Sequence, residues 1–272
     1  MSSSGEGLLP ERVAAPDRSI RGALEAYYTR YYRDTLGIPD WRDHVLARLA
    51  DHPRESQRLA RLERALGYPV GGRRLLNVGC GTGGFNRVAE TAGATTWGVD
   101  VDAEAVTIAG TRVPGGRILL AQAEALPFGD RSFDVVYCVS TLEHLEDAGR
   151  AVREMERVLR TDGALYLTTP NRWACFEGHY KVFWVPAFPR WAARVYLAAR
   201  GRPTAFLRTL RPLSFAECRS FLEQAGARMI RVLGGRGAPA VGGPLWPLVR
   251  LYYRLCRVRP YVEVVAGRGG VG

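Results

Sequence analysis

Ten consecutive residues, Leu75-Leu76-Asn77-Val78-Gly79-Cys80-Gly81-Thr82-Gly83-Gly84, restrict the folds open to this chain more than any other stretch. The apolar start reads as a buried strand, and the glycines behind it permit a sharp turn and close backbone approach to a ligand. A helical pattern from Phe85 to Ala92 follows, so helix N-terminal N–H groups would face that ligand and favour negative charge. Gly79, Gly81 and Gly84 also meet the GxGxxG spacing of dinucleotide sites, a spacing that a purely structural turn could share.

The pattern around this loop alternates. Strands are predicted at Leu75–Val78, Thr95–Val99, Arg117–Ala121, Phe133–Val139, Ala164–Thr168, Arg228–Leu233 and Tyr261–Val265, with helices at Phe85–Ala92, Ala103–Gly110, Ala148–Leu159 and Phe215–Ala225. Strands alternating with helices imply an α/β, doubly wound, Rossmann-like sheet of seven strands, mostly parallel and covered on both faces. Residues 1–19 read as a flexible tail, and 20–70 as an N-terminal helical cap. In the cap Leu24, Tyr27, Tyr28, Tyr31 and Tyr32 recur at helical spacing, while Pro39 and Pro53 punctuate the segments. Residues 71–272 form the main domain, with insertions at about 172–212 and 235–258.

A carboxylate closes the second strand at Asp100, about twenty residues beyond Gly79, where it could accept hydrogen bonds from ribose hydroxyls. The third strand runs into Ala121-Gln122-Ala123-Glu124-Ala125-Leu126-Pro127-Phe128, at the sheet edge where open α/β folds bind ligands. Taken with Gly98-Val99-Asp100, Ser132-Phe133-Asp134-Val135-Val136, Leu142-Glu143-His144-Leu145 and Thr169-Pro170-Asn171, these segments resemble the class I S-adenosylmethionine-dependent methyltransferases, small-molecule and quinone-biosynthesis branch.

The resemblance implies an antiparallel C-terminal strand and S-adenosylmethionine as cofactor. Gly79, Gly81 and Gly83, with Asn77 and Cys80, would border its methionine part. Asp100, with Val101 beside it, would hold the ribose. Gln122, Ala123 and Glu124 would border adenine, and Val139 and Ser140 would lie beside the sulfonium. Relatives often carry Asp where this chain has Gln122, an amide that can still accept from the adenine amino group.

Methyl transfer to an alcohol or phenol gains from a general base near neutral pKa, and His144, just past the fourth strand, is the leading candidate. Glu177 and His179, soon after the fifth strand, are expected to meet the acceptor. A metal reading would combine Glu143, His144 and His179. The related ExxEH pattern has Ser140 in place of its first glutamate, so no metal is expected.

The acceptor expected is small or lipid-like. A formal charge of +11 comes almost wholly from arginine, since Lys181 is the only lysine. That charge would favour nucleic acid or anionic lipid. Yet the arginines are dispersed, and Ser140-Thr141-Leu142-Glu143 stands where adenine N-methyltransferases carry an Asn/Asp-Pro-Pro-aromatic motif. Nucleic acid is therefore disfavoured, as are a non-catalytic scaffold and a dehydrogenase. In the insertions, aromatics interleaved with arginines suit a substrate lid first and a peripheral membrane contact second. Five scattered cysteines, no signal peptide and no long apolar run point to the cytoplasm. The sequence carries no signal of oligomeric state.

Overall fold

The computed structural model describes residues 18–113, 117–186, 188–234 and 246–269. The expected tail lies outside them up to residue 17, as does the 235–245 part of the second insertion.

Seven strands form the main sheet: β1 (Arg74–Val78), β2 (Thr95–Asp100), β3 (Ile118–Leu120), β4 (Phe133–Val139), β5 (Leu159–Pro170), β8 (Met229–Val232) and β9 (Tyr261–Gly267). Their order is β3-β2-β1-β4-β5-β9-β8. β1 to β5 run parallel, and β9 is antiparallel to both β5 and β8. Two more strands, β6 (Phe176–Glu177) and β7 (Val182–Phe183), pair as a separate hairpin inside the first insertion.

Successive residues of a strand face opposite ways, and both faces of this sheet are apolar. Leu75, Val135, Tyr137, Ala164, Tyr166 and Val265 pack beneath α3 (His52–Leu66) and α4 (Gly84–Thr91). Leu76, Val78, Val136, Cys138, Leu165 and Leu167 pack against α6 (Ala148–Val158) and α8 (Phe215–Gln224). On the first face Phe85, Tyr137 and Tyr166 stack in series, with ring centroids 3.9 and 5.5 Å apart. Above that stack Glu263, buried on β9, accepts from the Tyr166 hydroxyl at 2.6 Å and from Arg61 of α3. α5 (Ala103–Arg112) follows β2 and carries Asp102 as its N-cap, whose Oδ1 accepts from the Glu104 and Ala105 N–H groups at 3.0 and 3.1 Å.

The expected 20–70 cap divides by what it covers. α3 belongs to the sheet layer, and Pro53, far from breaking it, sits in its first turn where a missing N–H costs nothing. α1 (Arg18–Thr29), a π-helical turn at Arg30–Thr35 and α2 (Trp41–Leu49) instead share a separate core with the first insertion. In that core Leu24, Tyr28, Tyr32 and Leu36 meet Tyr180, Val182, Leu207 and Leu210, together with Ala193 and Leu197 of α7 (Arg190–Ala199). From the second insertion, α9 (Trp246–Leu255) lies against the 173–175 loop, where the Cys175 N–H donates to the Tyr253 hydroxyl at 2.7 Å. Among the described residues no helix is long and apolar enough to cross a membrane.

Candidate active site

Strand order reverses between β1 and β4, and such a switch point opens a crevice at the carboxyl ends of the strands. A cavity of about 640 Å³ lies there. The turn leaving β1 forms its floor. Gly79 has φ +76°, and a Cβ on it would stand 2.1 Å from Thr141 Oγ1, so only glycine fits. The Gly79 and Cys80 N–H groups donate to the Val99 carbonyl, and the Gly81 N–H donates to Asp100 Oδ2 at 2.7 Å. Asp100 Oδ1 accepts from the Asp102 N–H at 3.0 Å. Each carboxylate oxygen thus keeps acceptor capacity for a ligand hydroxyl.

Asn77, Gly79, Cys80, Gly81, Asp100, Val101, Ala123, Val139 and Ser140 all line the cavity. Asn77 also braces the loop from below, donating to Asn86 Oδ1 at 2.7 Å. Val101 leaves 64% of its surface exposed. Ser140 holds φ +56° at the end of β4, a left-handed conformation that costs a non-glycine residue energy and is often found at functional sites. Three expected residues stand apart. Gly83 turns the chain into α4 and faces Ala109 of α5, outside the wall. Gln122 is exposed and Glu124 half-buried, and neither lines the cavity; that loop presents Ala121 and Ala123 instead.

The cap closes the cavity from above with tyrosines of the helical run that the sequence offered as a lid, and with charged residues that sequence reasoning missed. The Tyr28 hydroxyl meets Thr82 Oγ1 at 2.8 Å, and the Tyr27 hydroxyl donates to Asp102 Oδ2 at 2.9 Å. Burial, then the Asp102 charge, pushes the Tyr27 phenol well up. Asp51, between α2 and α3, pairs with Arg112 at 2.6 Å and Arg87 at 3.2 Å, while Arg112 also donates to the Thr82 carbonyl. Arg48 and Arg58 complete this wall. The contacts join Asp51 and Arg112 across 61 positions of chain, a separation that leaves no local pattern to read.

At the far side, His144 lines the cavity from a short 3₁₀ turn, Leu142–His144, after β4. Its ring lies 5.0 Å, edge to face, from that of His179, and Phe206 packs on both. Glu177 and His179 come from the β6–β7 hairpin and do not line the cavity; they back His144. His179 Nδ1 meets Glu177 Oε1 at 2.8 Å, and its Nε2 lies 3.9 Å from Glu143 Oε1. Glu143 is 1% exposed; its Oε2 accepts from Thr169 at 2.9 Å, and its Oε1 has no hydrogen-bond partner among the described residues. Burial, with the neighbouring His179 charge, lowers the His144 pKa to about 4, below the near-neutral value expected from the sequence, so the imidazole stands neutral and ready to accept a proton but is a weaker base than expected. Burial works against protonation of His179 too, but the hydrogen bond and charge of Glu177, with Glu143 behind, prevail and raise it. Burial pushes the Glu143 carboxyl up. Glu143, His144 and His179 each offer a ligand atom within 4.8 Å of the others.

Residues 76–167 match the family described as a methyltransferase domain. The chain is 39% identical over 100 residues to an S-adenosylmethionine-dependent methyltransferase of Mycobacterium tuberculosis, covering 37% of this chain and 36% of that relative. Against an O-methyltransferase of Aspergillus sclerotiorum it is 30% identical over 178 residues, 60% of this chain and 64% of the relative. The chain thus spans about a third to two thirds of the length of these curated relatives. A crystal structure of an S-adenosylmethionine-dependent methyltransferase from Thermotoga maritima superposes with a TM-score of 0.51 at 19% identity, over 92% of this chain and all of that one. This chain carries a class I S-adenosylmethionine-dependent methyltransferase domain.

The cofactor of such a methyltransferase domain is S-adenosylmethionine, and the residues present suit it. The cavity is within the range of small-molecule sites. Asp100 offers free lone pairs at its rim, Val101 and Ala123 give an apolar strip, and no side chain blocks Gly81, where a Cβ would meet nothing within 4 Å.

Proposed function

We propose that the chain transfers a methyl group from S-adenosylmethionine to an oxygen of a small or lipophilic acceptor, both held in the one cavity. The observation that carries this reading is His144, an imidazole in the same wall system as the glycine turn and Asp100. The likeness to the Aspergillus O-methyltransferase adds support for oxygen as the atom methylated. Tyr27, Tyr28, Tyr31 and Phe206 also line this cavity, and such an aromatic wall suits a compact acceptor better than a nucleic-acid duplex. A cytoplasmic setting belongs to the same reading, with five free cysteines in its favour.

When bound, S-adenosylmethionine supplies an electrophilic methyl on a cationic sulfur whose charge vanishes as the methyl leaves. Asp100 accepts from the ribose hydroxyls, the Gly79–Gly81 backbone borders the methionine portion, and Val101 and Ala123 flank adenine. Arg48 or Arg58 faces the methionine carboxylate. His144 is neutral at pH 7 and accepts the hydrogen bond of the acceptor hydroxyl. It takes that proton as the new carbon–oxygen bond forms, leaving an imidazolium and a methyl ether. The tyrosines and Phe206 exclude water, and much of the rate arises from alignment.

The test pairs binding with turnover. Asp100→Ala should weaken S-adenosylhomocysteine binding by at least about tenfold in calorimetry, a loss of ~1.4 kcal/mol. His144→Gln should lower kcat about 10²–10⁴-fold on a panel of phenols while leaving that affinity unchanged. No binding to the folded wild type would sink the methyltransferase reading; full activity in His144→Gln would sink the base.

A second reading of the same corner rests on the Glu143, His144 and His179 cluster and the unpartnered Glu143 Oε1. There the three side chains would hold a divalent ion that orients the acceptor oxygen, with Glu177 fixing the His179 ring from behind. Loss of activity on chelation, restored by a divalent metal, favours this reading over the base.

A further inference from the structure

A second cavity, of about 430 Å³, lies behind the Glu177–His179 pair, under α7 and the 207–212 segment. Its body is apolar. Trp184 and Phe188 meet edge to face at 5.5 Å, and Leu207 and Leu210 close the opposite side. The turn at 206–210 is therefore a partition, with Phe206 and Thr209 facing the cofactor cavity and Leu207 and Leu210 facing this one.

The polar part of the wall carries surplus positive charge. Arg190 opens α7 with no acidic residue in the first turn, so a cation sits at the positive end of the helix dipole. Among the described residues its guanidinium has no carboxylate partner and donates only to the Leu210 carbonyl, at 3.2 Å. Arg211 lies 3.7 Å from Glu146, a side chain 90% exposed. A third arginine, Arg172, is already neutralised by Glu217 at 2.8 Å. Among the described residues the one acid in the wall, Glu177, spends its charge on His179 and on the Tyr180 N–H. An apolar cavity with two under-compensated guanidinium groups is matched by an apolar anion, because arginine pairs with a planar carboxylate through two parallel hydrogen bonds.

We propose that this cavity binds an organic acid with an aromatic or compact aliphatic body, its carboxylate taken by Arg190 and Arg211. The assignment goes beyond the methyl-transfer reading and does not depend on it. Its wall is joined to the other site, since the Arg211 N–H donates to the Glu143 carbonyl at 2.6 Å.

The experiment titrates the full chain, saturated with S-adenosylhomocysteine, with 2-naphthoate and with the neutral 2-naphthylmethanol. The acid is expected to bind at least about tenfold more tightly than the alcohol. In the Arg190→Gln/Arg211→Gln variant that preference should vanish, with S-adenosylhomocysteine affinity unchanged as the control for folding. Equal binding of the two probes, no saturable binding of the acid, or a preference that survives the double variant overturns the proposal. Should the double variant fail the folding control, the wild type decides: acid affinity must fall with added salt while alcohol affinity holds, and a salt-independent preference overturns the assignment. Failure here with intact S-adenosylhomocysteine binding leaves the methyltransferase reading standing.

Discussion

Gly79 and Gly81 both hold positive φ in the turn that floors the cofactor cavity, yet their surroundings set different penalties. At Gly79 a methyl group would collide with Thr141, whereas at Gly81 it would meet open space. Gly79→Ala should therefore cost well over the ~1–2 kcal/mol of a left-handed alanine, and Gly81→Ala about that amount alone. Urea unfolding of the two variants measures the difference. Glycine's freedom of φ is a property of the residue itself, so this loop is legible in a bare sequence. The adenine-side loop is not legible in that way. Ala121-Gln122-Ala123-Glu124 shows which residues follow β3, but the backbone turn decides that the alanines face inward while Gln122 faces solvent. Likewise Glu177 and His179 were legible as a polar pair after β5, but not as a support behind His144 rather than a wall of the cavity.

Helix α3 shows how an element is anchored by one pair. Glu263 is 2% exposed on β9, and Arg61 supplies its compensating charge across the layer. Removing the arginine takes away that charge and leaves the Tyr166 hydroxyl bonded to the carboxylate, so Arg61→Ala should cost about 1.5–3 kcal/mol, and adding Glu263→Gln should recover part of it. A double-mutant cycle on denaturant midpoints reads this directly. The helical period of α3 is plain in its buried Leu59, Leu62 and Leu66, and the strands with alternating or continuous apolar runs were found within a few residues. Two elements and one boundary escaped. β6 and β7 span two residues each, too short for any alternation, and β5 begins at Leu159, directly after α6, where no turn residue marks a boundary. The Tyr27, Tyr28 and Tyr31 spacing predicted a helix but not the switch to a π-helical turn at Arg30, since tertiary packing against the insertion sets it.

Across the whole molecule, stability should respond to one carboxyl on α6. Glu156 is fully buried, its nearest cation Arg268 stands 3.6 Å away, and burial lifts its pKa to about 7 from an ordinary 4.5. Between those values the folded chain holds a proton that the unfolded chain has released, so stability declines as pH rises from about 4.5 to about 7. The loss is about 3 kcal/mol. Glu156→Gln should remove this slope and raise the melting temperature at pH 8 but hardly at pH 4.5, as calorimetric scans across pH would show. The β6–β7 hairpin has one more consequence, a practical one. Its tip carries Lys181, the sole lysine of the 272 residues, held at φ +56° and exposed two positions beyond His179. An amine-reactive dye would thus mark one side chain of the chain, and its emission would act as a built-in optical gauge of events at the histidine pair.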